Sequence, residues 1–339
     1  MQKYDKIAVV IPCYKVEQHI LPLLEKIPPL VEKIYCVDDA CPNGTGKLIK
    51  QNCRDSRVIV LAHDENKGVG GAVKTGYKAA FDDGCSIAVK IDGDGQMDPA
   101  LIPHFIDPII KGQSDYTKGN RFYTLDDTKE MPVMRLIGNA LLSFMAKLST
   151  GYWNLFDPTN GYTAFHLSLL RVMRLDKISD RYFFESDMLF RLNINRCLVT
   201  DIPMRAHYGT ERSNLRINNI IFPFIRGHFK NLFKRLFYNY FLRDFQVASI
   251  EFILGPLLLI CGATYAWYQW NLALSSGIAA TPGTVMIGAL QIIIGMQFIL
   301  SALNFDLRNI PNSPLHPALA DPTNEENEQS PSPGKFLDD

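Results

Sequence analysis

Four short apolar runs recur near the start of the chain: Ile7 to Ile11 (IAVVI), Ile34 to Val37 (IYCV), Val58 to Ala62 (VIVLA) and Ile87 to Ile91 (IAVKI), with helix-sized segments between them. A β-branched run that is apolar at nearly every position, rather than at alternate ones, has no solvated face. Each therefore reads as a strand of a parallel sheet covered by helices on both sides. The predicted fold class is α/β. In such sheets ligands collect where loops leave the carboxyl ends of the strands, so chemistry is sought at the tails of these four runs.

Further along, the pattern changes. Met134 to Ser149 reads as an apolar-rich helix, an aromatic loop follows at 151 to 162 (GYWNLFDPTNGY), and a helix is expected from Phe184 to Asn195. From Asn218, aromatics and leucines interleave with Arg226, Lys230, Lys234, Arg235 and Arg243, the mixture of an interfacial helix. Phe252 to Trp270 and Thr284 to Leu303 carry no charge, and each is close to the roughly 20 residues that cross a bilayer. Two membrane spans are expected, the first kinked at Gly255-Pro256. The loop from Asn271 to Gly283 lacks Lys and Arg, while cations crowd before the first span, so both termini are placed in the cytoplasm. The Pro-rich and Ser-rich tail after Asn312 has too few apolar residues for a core and is expected to be disordered.

With 339 residues, 47% of them hydrophobic, the chain can build one globular domain and such an appendage. A formal net charge of zero argues against nucleic acid as partner. Seven cysteines without a CxxC pair fit neither a disulfide framework nor a zinc site, and are read as reduced, mostly buried thiols. Met1 to Tyr14 has only one short apolar run and no signal-peptide core, so the N-terminal part is expected in the cytoplasm.

The sharpest chemical signal is KIDGDGQMD at 90 to 98, where Asp92 and Asp94 stand one residue apart after a buried strand. Hard oxygen ligands so placed suit Mg²⁺ or Mn²⁺ shared with substrate phosphates. An ordinary Asp/Gly turn is the alternative; an EF-hand is excluded, because Met97 stands where its glycine belongs and Pro103 where its glutamate belongs. Asp38-Asp39 closes the second strand, where an acid can accept from a ribose or base, and Pro12-Cys13-Tyr14 closes the first. Asn66 to Ala72 is glycine-rich, but Val73 breaks the dinucleotide fingerprint, and the P-loop pattern fails both here and at Gly44 to Leu48. These glycines are read as allowing close packing of loop and helix.

Taken in order, VVIPCY, VDDACPNGT, ENKGVGGAVKTGYKAA, KIDGDGQMDP, KGNRF and DPTNGYTAF resemble the inverting family-2 glycosyltransferases, and within them the dolichol-phosphate-mannosyltransferase-like branch that makes polyprenyl-phosphate sugars. The resemblance covers about Lys6 to Leu215 and the two-helix anchor; YGTERSNL at 208 to 215 and YFLRDFQVAS at 240 to 249 are similar to further elements of that branch. It implies a GT-A-like nucleotide-sugar-binding domain at 1 to 215, interfacial helices at 216 to 246, two transmembrane helices within 247 to 305 (about 250 to 270 and 284 to 303), and a tail at 306 to 339. It implies that Asp92, Asp94 and Gln96 hold the metal and diphosphate together with Gly93, and that Asp39 and the Pro12–Tyr14 segment hold the nucleoside. Arg121, Arg135 and Arg212 are implied as partners of donor or lipid phosphates. Glu17 is displaced by one position from the acid that many members carry after the tyrosine.

A nucleoside diphosphate leaves with negative charge, which a metal and arginines stabilise. A hydroxyl acceptor needs a base to take its proton, whereas a phosphate monoester is largely dianionic at neutral pH and needs positioning. Asp157 stands where the family places its candidate base, and is read either as that base or as an orienting residue; Glu185 and Asp187 are a second acidic pair, equally open to capping or ion pairing. The expected reaction takes mannose from GDP-mannose or glucose from UDP-glucose to a polyprenyl phosphate with inversion, at the cytoplasmic membrane, in cell-envelope glycan synthesis, with a homo-oligomer possible. The alternative is a membrane-anchored enzyme acting on a hydroxyl acceptor with Asp157 as general base.

Overall fold

The computed structural model describes residues 6–122, 133–204 and 217–319. It divides into two compact units, Met1–Asn231 with Pro311–Asp339, and Leu232–Ile310.

The first unit is built on β1 (Ile7–Cys13), β2 (Lys33–Asp38), β3 (Val58–Ala62), β4 (Ile87–Lys90), β5 (Tyr116–Asn120), β6 (Thr163–His166) and β7 (Val199–Pro203). The helices around them are α1 (Ile20–Glu25), α2 (Thr45–Asn52), α3 (Val69–Asp82), α4 (Ile102–Ile110), α5 (Val133–Thr150), α6 (Phe184–Ile194) and the start of α7 (Ile217–Phe237). The sheet order is β3-β2-β1-β4-β6-β5-β7. The four apolar runs are thus the four adjacent parallel strands on one side of the sheet, as expected of α/β. Connections run outward in opposite directions from β1 and β4, and at such a switch point the loops part and leave a crevice. Registers Cys13↔Asp38 and Val10↔Lys90 bring three strand ends side by side above it.

Burial explains the strand assignments. Val9, Ile11, Cys36 and Val89 pack with Ile20, Leu23, Phe105 and Ile106 in one buried cluster, and Phe105 stacks on Tyr162 with ring centroids 4.0 Å apart. On the opposite face α3 lies directly on β1: a Cβ at Gly76 would stand 2.3 Å from Val10 Cγ1, so only glycine permits this approach.

Three strands fall beyond the apolar runs. β5 (YTKGN) is buried at all five positions although it is polar, and β6 runs antiparallel to both β4 and β5. Met134 to Ser149 and Phe184 to Asn195 are helical as expected, as α5 and α6.

The tail expected to be disordered departs from that expectation over its described part. Pro311 onward belongs to the first unit, and α10 (His316–Leu319) is held there. Asp115 accepts from Leu315 N at 2.8 Å, from His316 N at 2.7 Å and from His316 Nδ1 at 2.9 Å, and His316 stacks on His166 at 4.2 Å. Burial alone would push the Asp115 carboxyl up, yet these bonds and one from Leu198 N hold it below the ordinary range. The physical reason is that a fully buried carboxylate needs donors, and this segment brings them. Residues 320–339 lie outside the described residues.

The second unit holds two helices long and apolar enough to cross a membrane, α8 (Val247–Ser276) and α9 (Pro282–Arg308). Glycines let them approach closely. A Cβ at Gly295 would stand 2.7 Å from Leu259 N and 2.8 Å from Gly255 O, the small-residue contact typical of helices in lipid. Trp267, Tyr268 and Trp270 are exposed near the connecting loop. In α7 polarity is inverted: Phe222, Phe229, Phe233 and Phe237 point outward while His228, Asn231 and Arg235 are buried.

Candidate active site

The strand ends form the site. After β1 and β2 the chain passes through left-handed backbone at Lys15 (φ 59°) and Ala40 (φ 50°), which non-glycine residues adopt at a cost. The two loops are clipped together by Lys15 N donating to Cys41 Sγ at 3.1 Å and Asp39 N donating to Cys13 O at 3.1 Å. Asp38 secures the second loop, accepting from Cys41 N and Gly46 N, each at 2.8 Å.

Asp39 lines the cleft but its carboxylate is largely spoken for. It accepts from Lys67 N at 2.8 Å and Gly68 N at 2.7 Å, and it contacts His63 Nδ1 at 2.7 Å. It therefore organises the glycine loop directly, beyond any bond it offers a nucleoside. That loop packs against a strap at Ser179–Arg181: a Cβ at Gly70 would stand 2.4 Å from Ser179 O, and one at Gly68 2.7 Å from Asp180 O. The expectation that these glycines serve close packing holds, with the strap as the neighbour. Asp187 fastens the strap by accepting from Ser179 N at 2.8 Å, and accepts from Asn231 Nδ2 at 3.0 Å.

Below the cleft Lys90, 1% exposed, reaches Asp92 at 2.9 Å and Glu185 at 3.1 Å. Burial would discharge this ammonium, but the two carboxylates outweigh burial and raise its pKa. Gly161 of the aromatic loop lies so close that a Cβ there would stand 2.6 Å from Lys90 Nζ and 2.7 Å from Asp92 Oδ2. Asp94 accepts from Gln96 N at 3.0 Å, which folds the loop into a tight turn, with Gly95 at φ 75°.

A cleft of about 420 Å³ results, lined by Pro12, Tyr14, Asp39, Asp92, Gly93 and Asp94 together with Asn66, Gly68, Arg181 and Tyr182. Six of the expected donor residues thus converge. Gln96 stands on the same loop but does not line the cleft. Arg121 and Asp157 pair with each other, Nε to Oδ2 at 2.8 Å and Nη2 to Oδ1 at 3.1 Å, with Asp157 1% exposed. Glu17 lies outside the lining and accepts from Asn43 Nδ2 at 2.5 Å. Arg135 falls within α5, and Arg212 lies outside the described residues. Sequence reasoning missed Lys90, Arg181 and Tyr182. Lys90 stands inside the KIDGDGQMD motif, and Arg181 and Tyr182 stand just before the acidic pair Glu185 and Asp187, where their own residue types carry no local signal.

Under the aromatic loop, Lys118 donates to Asn160 O, and burial pushes this ammonium down to about 8. Asp201 accepts from Phe156 N at 2.9 Å and Asn120 Nδ2 at 3.2 Å, while its Oδ1 has no partner among the described residues. Burial pushes its carboxyl up to about 6. Between an ordinary value near ~4 and that one, the folded protein holds a proton that the unfolded chain has released, so this group lowers stability as pH rises through the window. Asp201→Asn keeps an acceptor and removes the charge. It is expected to stabilise the protein by as much as about 3 kcal/mol at pH 7.5, with the gain shrinking to nothing below pH ~4. Thermal unfolding of both forms across that range checks this, and a constant difference would refute it.

Metal fit can be judged from the donor set. Among the described residues no group of three His, Cys, Asp or Glu converges on one point; the protein offers Asp92 and Asp94. One or two carboxylates completed by substrate phosphates is the usual protein share of a Mg²⁺ site, so the residues fit such an ion.

Residues 8–174 match the family model described as glycosyl transferase family 2. A UDP-N-acetylglucosamine–dolichyl-phosphate N-acetylglucosaminyltransferase of Methanococcus voltae is 33% identical over 232 residues, covering 64% of this chain and 92% of that one. An undecaprenyl-phosphate mannosyltransferase of Micrococcus luteus is 30% identical over 204 residues, 59% of this chain and 82% of that one. Glucosyl-3-phosphoglycerate synthase from Mycobacterium tuberculosis, solved with Mn²⁺, UDP-glucose and phosphoglyceric acid, superposes with a TM-score of 0.51 at 19% identity, over 68% of this chain and 80% of that chain, a likeness of fold.

Proposed function

This chain belongs to glycosyl transferase family 2, and we propose that it transfers a sugar of the hexose class from a nucleotide sugar to a polyprenyl phosphate at a membrane surface, with inversion. The glycosyltransferase relatives named above act on dolichyl and undecaprenyl phosphate. The observation that carries the choice of acceptor is Asp157: both its oxygens are taken by the Arg121 guanidinium, and it is 1% exposed. A hydroxyl acceptor would need that carboxylate as a reachable base. A phosphate dianion needs only a place to sit.

In this reading Pro12, Tyr14 and the loop organised by Asp39 hold the nucleoside. Asp92 and Asp94 hold a divalent cation, Mg²⁺ or Mn²⁺, with Gln96 and Gly93 on the same turn. The cation, when bound, supplies positive charge for the departing diphosphate. Lys90 keeps Asp92 oriented, and Gly161 keeps the aromatic loop close enough to close over the reacting centre. Arg121, held by Asp157, presents positive charge to donor or lipid phosphate, with Arg135 and Arg212 as further candidates.

The membrane side of the proposal follows from the chain's path. Residues 311–319 are fixed to the sheet of the first unit, so a pair of spans between 247 and 308 leaves and returns on one face of the bilayer, which we assign to the cytoplasm. The outward phenylalanines of α7 suit the interfacial layer. We keep residues 216–246 as the interfacial segment and 1–215 as the catalytic part.

The test incubates membranes containing the full chain with polyprenyl phosphate, Mg²⁺ and radiolabelled UDP-N-acetylglucosamine, UDP-glucose or GDP-mannose in turn. Label is expected in the organic phase as a lipid-phosphate sugar, and EDTA is expected to abolish it. No lipid label with any donor, despite donor binding, would overturn the lipid acceptor in favour of a hydroxyl.

A further inference from the structure

Among the described residues that line the cleft, three are carboxylates, Asp39, Asp92 and Asp94, and one is a cation, Arg181. Two of the acids already have partners: Asp39 is answered by Lys67 N, Gly68 N and His63, and Asp92 by Lys90. Arg181 differs. Its side chain is exposed, and no described residue pairs with its guanidinium. Its backbone, by contrast, is fixed on both sides. Lys74 Nζ donates to Ile178 O at 2.7 Å and meets Asp180 at 2.5 Å, Gly71 N donates to Asp180 O at 3.0 Å, and Phe184 N donates to Arg181 O at 2.9 Å as α6 begins. A Cβ at Gly68 would stand 3.0 Å from Arg181 Cγ, so the arginine stem lies against a bare glycine.

An unpaired guanidinium on a fixed strap at a cleft wall suits an anion, and its planar fork matches a pair of phosphate oxygens. Charge narrows the choice of anion. In the reading above, Asp92 and Asp94 balance a divalent cation, so the negative charges on the donor's two phosphorus centres still need a counter-charge from the protein. We propose that Arg181 binds the diphosphate of the nucleotide donor and stabilises it as it leaves. When the bond from the anomeric carbon to the diphosphate oxygen breaks, its electron pair stays on that oxygen, while a phosphate oxygen of the acceptor supplies the pair for the new bond. Arg181 meets the charge that the leaving group gains. The inference rests on the reading that the cleft holds a nucleotide sugar.

The test titrates the full chain in detergent, with Mg²⁺ present, against UDP and GDP and against uridine and guanosine. Arg181→Met is expected to weaken binding of whichever diphosphate the parent takes by about tenfold or more, with the matching nucleoside bound as before. Arg181→Lys is expected to restore part of the loss, since it returns the charge without the fork. In sugar transfer, kcat/KM for the donor is expected to fall by about 10–10²-fold in the Met variant, while KM for the lipid acceptor holds. The thermal midpoint is expected to stay within a degree or so, because no described residue loses a partner. An Arg181→Met protein that binds the diphosphate as tightly as the parent removes Arg181 alone. One that loses nucleoside and diphosphate in equal measure shows that the residue only braces the strap, and overturns the assignment. A parent that binds neither UDP nor GDP overturns the nucleotide-sugar reading itself, and Arg181 with it.

Discussion

Replacing Asp94 with asparagine is expected to lower the rate of sugar transfer by about 10²–10³-fold, the scale on which a single well-placed electrostatic group acts. The substitution is nearly isosteric. Its amide oxygen can still accept from Gln96 N, now at 3.0 Å from Oδ1, so the turn at Gly95 should keep its shape. On the proposed reading, what is lost is one of two carboxylate charges facing the diphosphate, and with it most of the pull on a divalent ion. Transfer of label to the organic phase at saturating Mg²⁺ measures the loss, and titration with UDP in the absence of metal should show the nucleoside end of the cleft intact. A variant as active as the parent, in membranes whose activity also survives EDTA, would remove the metal assignment altogether.

The largest stability effect is expected in the second unit. In the second unit Arg235 and Asp306 form a two-pronged pair, Nη1 to Oδ1 at 2.6 Å and Nη2 to Oδ2 at 2.9 Å, with side chains only 2% and 3% exposed. Tyr240 donates its hydroxyl to the same carboxylate, and Ser249 at the start of α8 donates to the Tyr240 carbonyl. Asp306→Ala leaves a buried guanidinium without its counter-charge, and a loss of about 3–5 kcal/mol is expected. Thermal unfolding in detergent micelles reads it. Removing both charges together, as Arg235→Met with Asp306→Leu, should cost clearly less than the single change, because much of the penalty comes from stranding one partner. Equal losses would show that packing rather than charge holds this corner.

The second unit was legible because its signal is local. An uncharged stretch of span length identifies itself without reference to the rest of the chain, and α8 and α9 extend a few residues past the stretches that marked them. The first four strands were legible for the same reason. Residues at their tails converged on the cleft because topology sends parallel strand ends to one side of the sheet, so Pro12, Asp39 and Asp92 could be placed together before any distance was known.

The remainder depended on partners distant in sequence. β5 carries no apolar run, and its five residues are buried between β6 and β7 with α4 against them, where Thr117 Oγ1 donates to Phe105 O at 2.7 Å. That Asp157 is paired could not be read from its motif, because its partner Arg121, which holds both its oxygens, is distant in sequence. Arg181 and Tyr182 reach the cleft because glycines at 68 and 70 admit the strap, a contact that no local pattern encodes. The tail after Asn312 shows the same division: its composition is that of a solvated segment, yet Asp115, about 200 residues earlier, draws it in for its backbone donors. The sequence by itself determined the first four parallel strands, the long apolar helices and the acidic residues at the strand ends, because periodicity, charge and chirality act over a few residues. Tertiary structure alone decided which polar groups are buried, which carboxylate is already paired and which segments close the cleft, because the free energy of a buried charge or hydroxyl is fixed by whatever the folded chain brings against it.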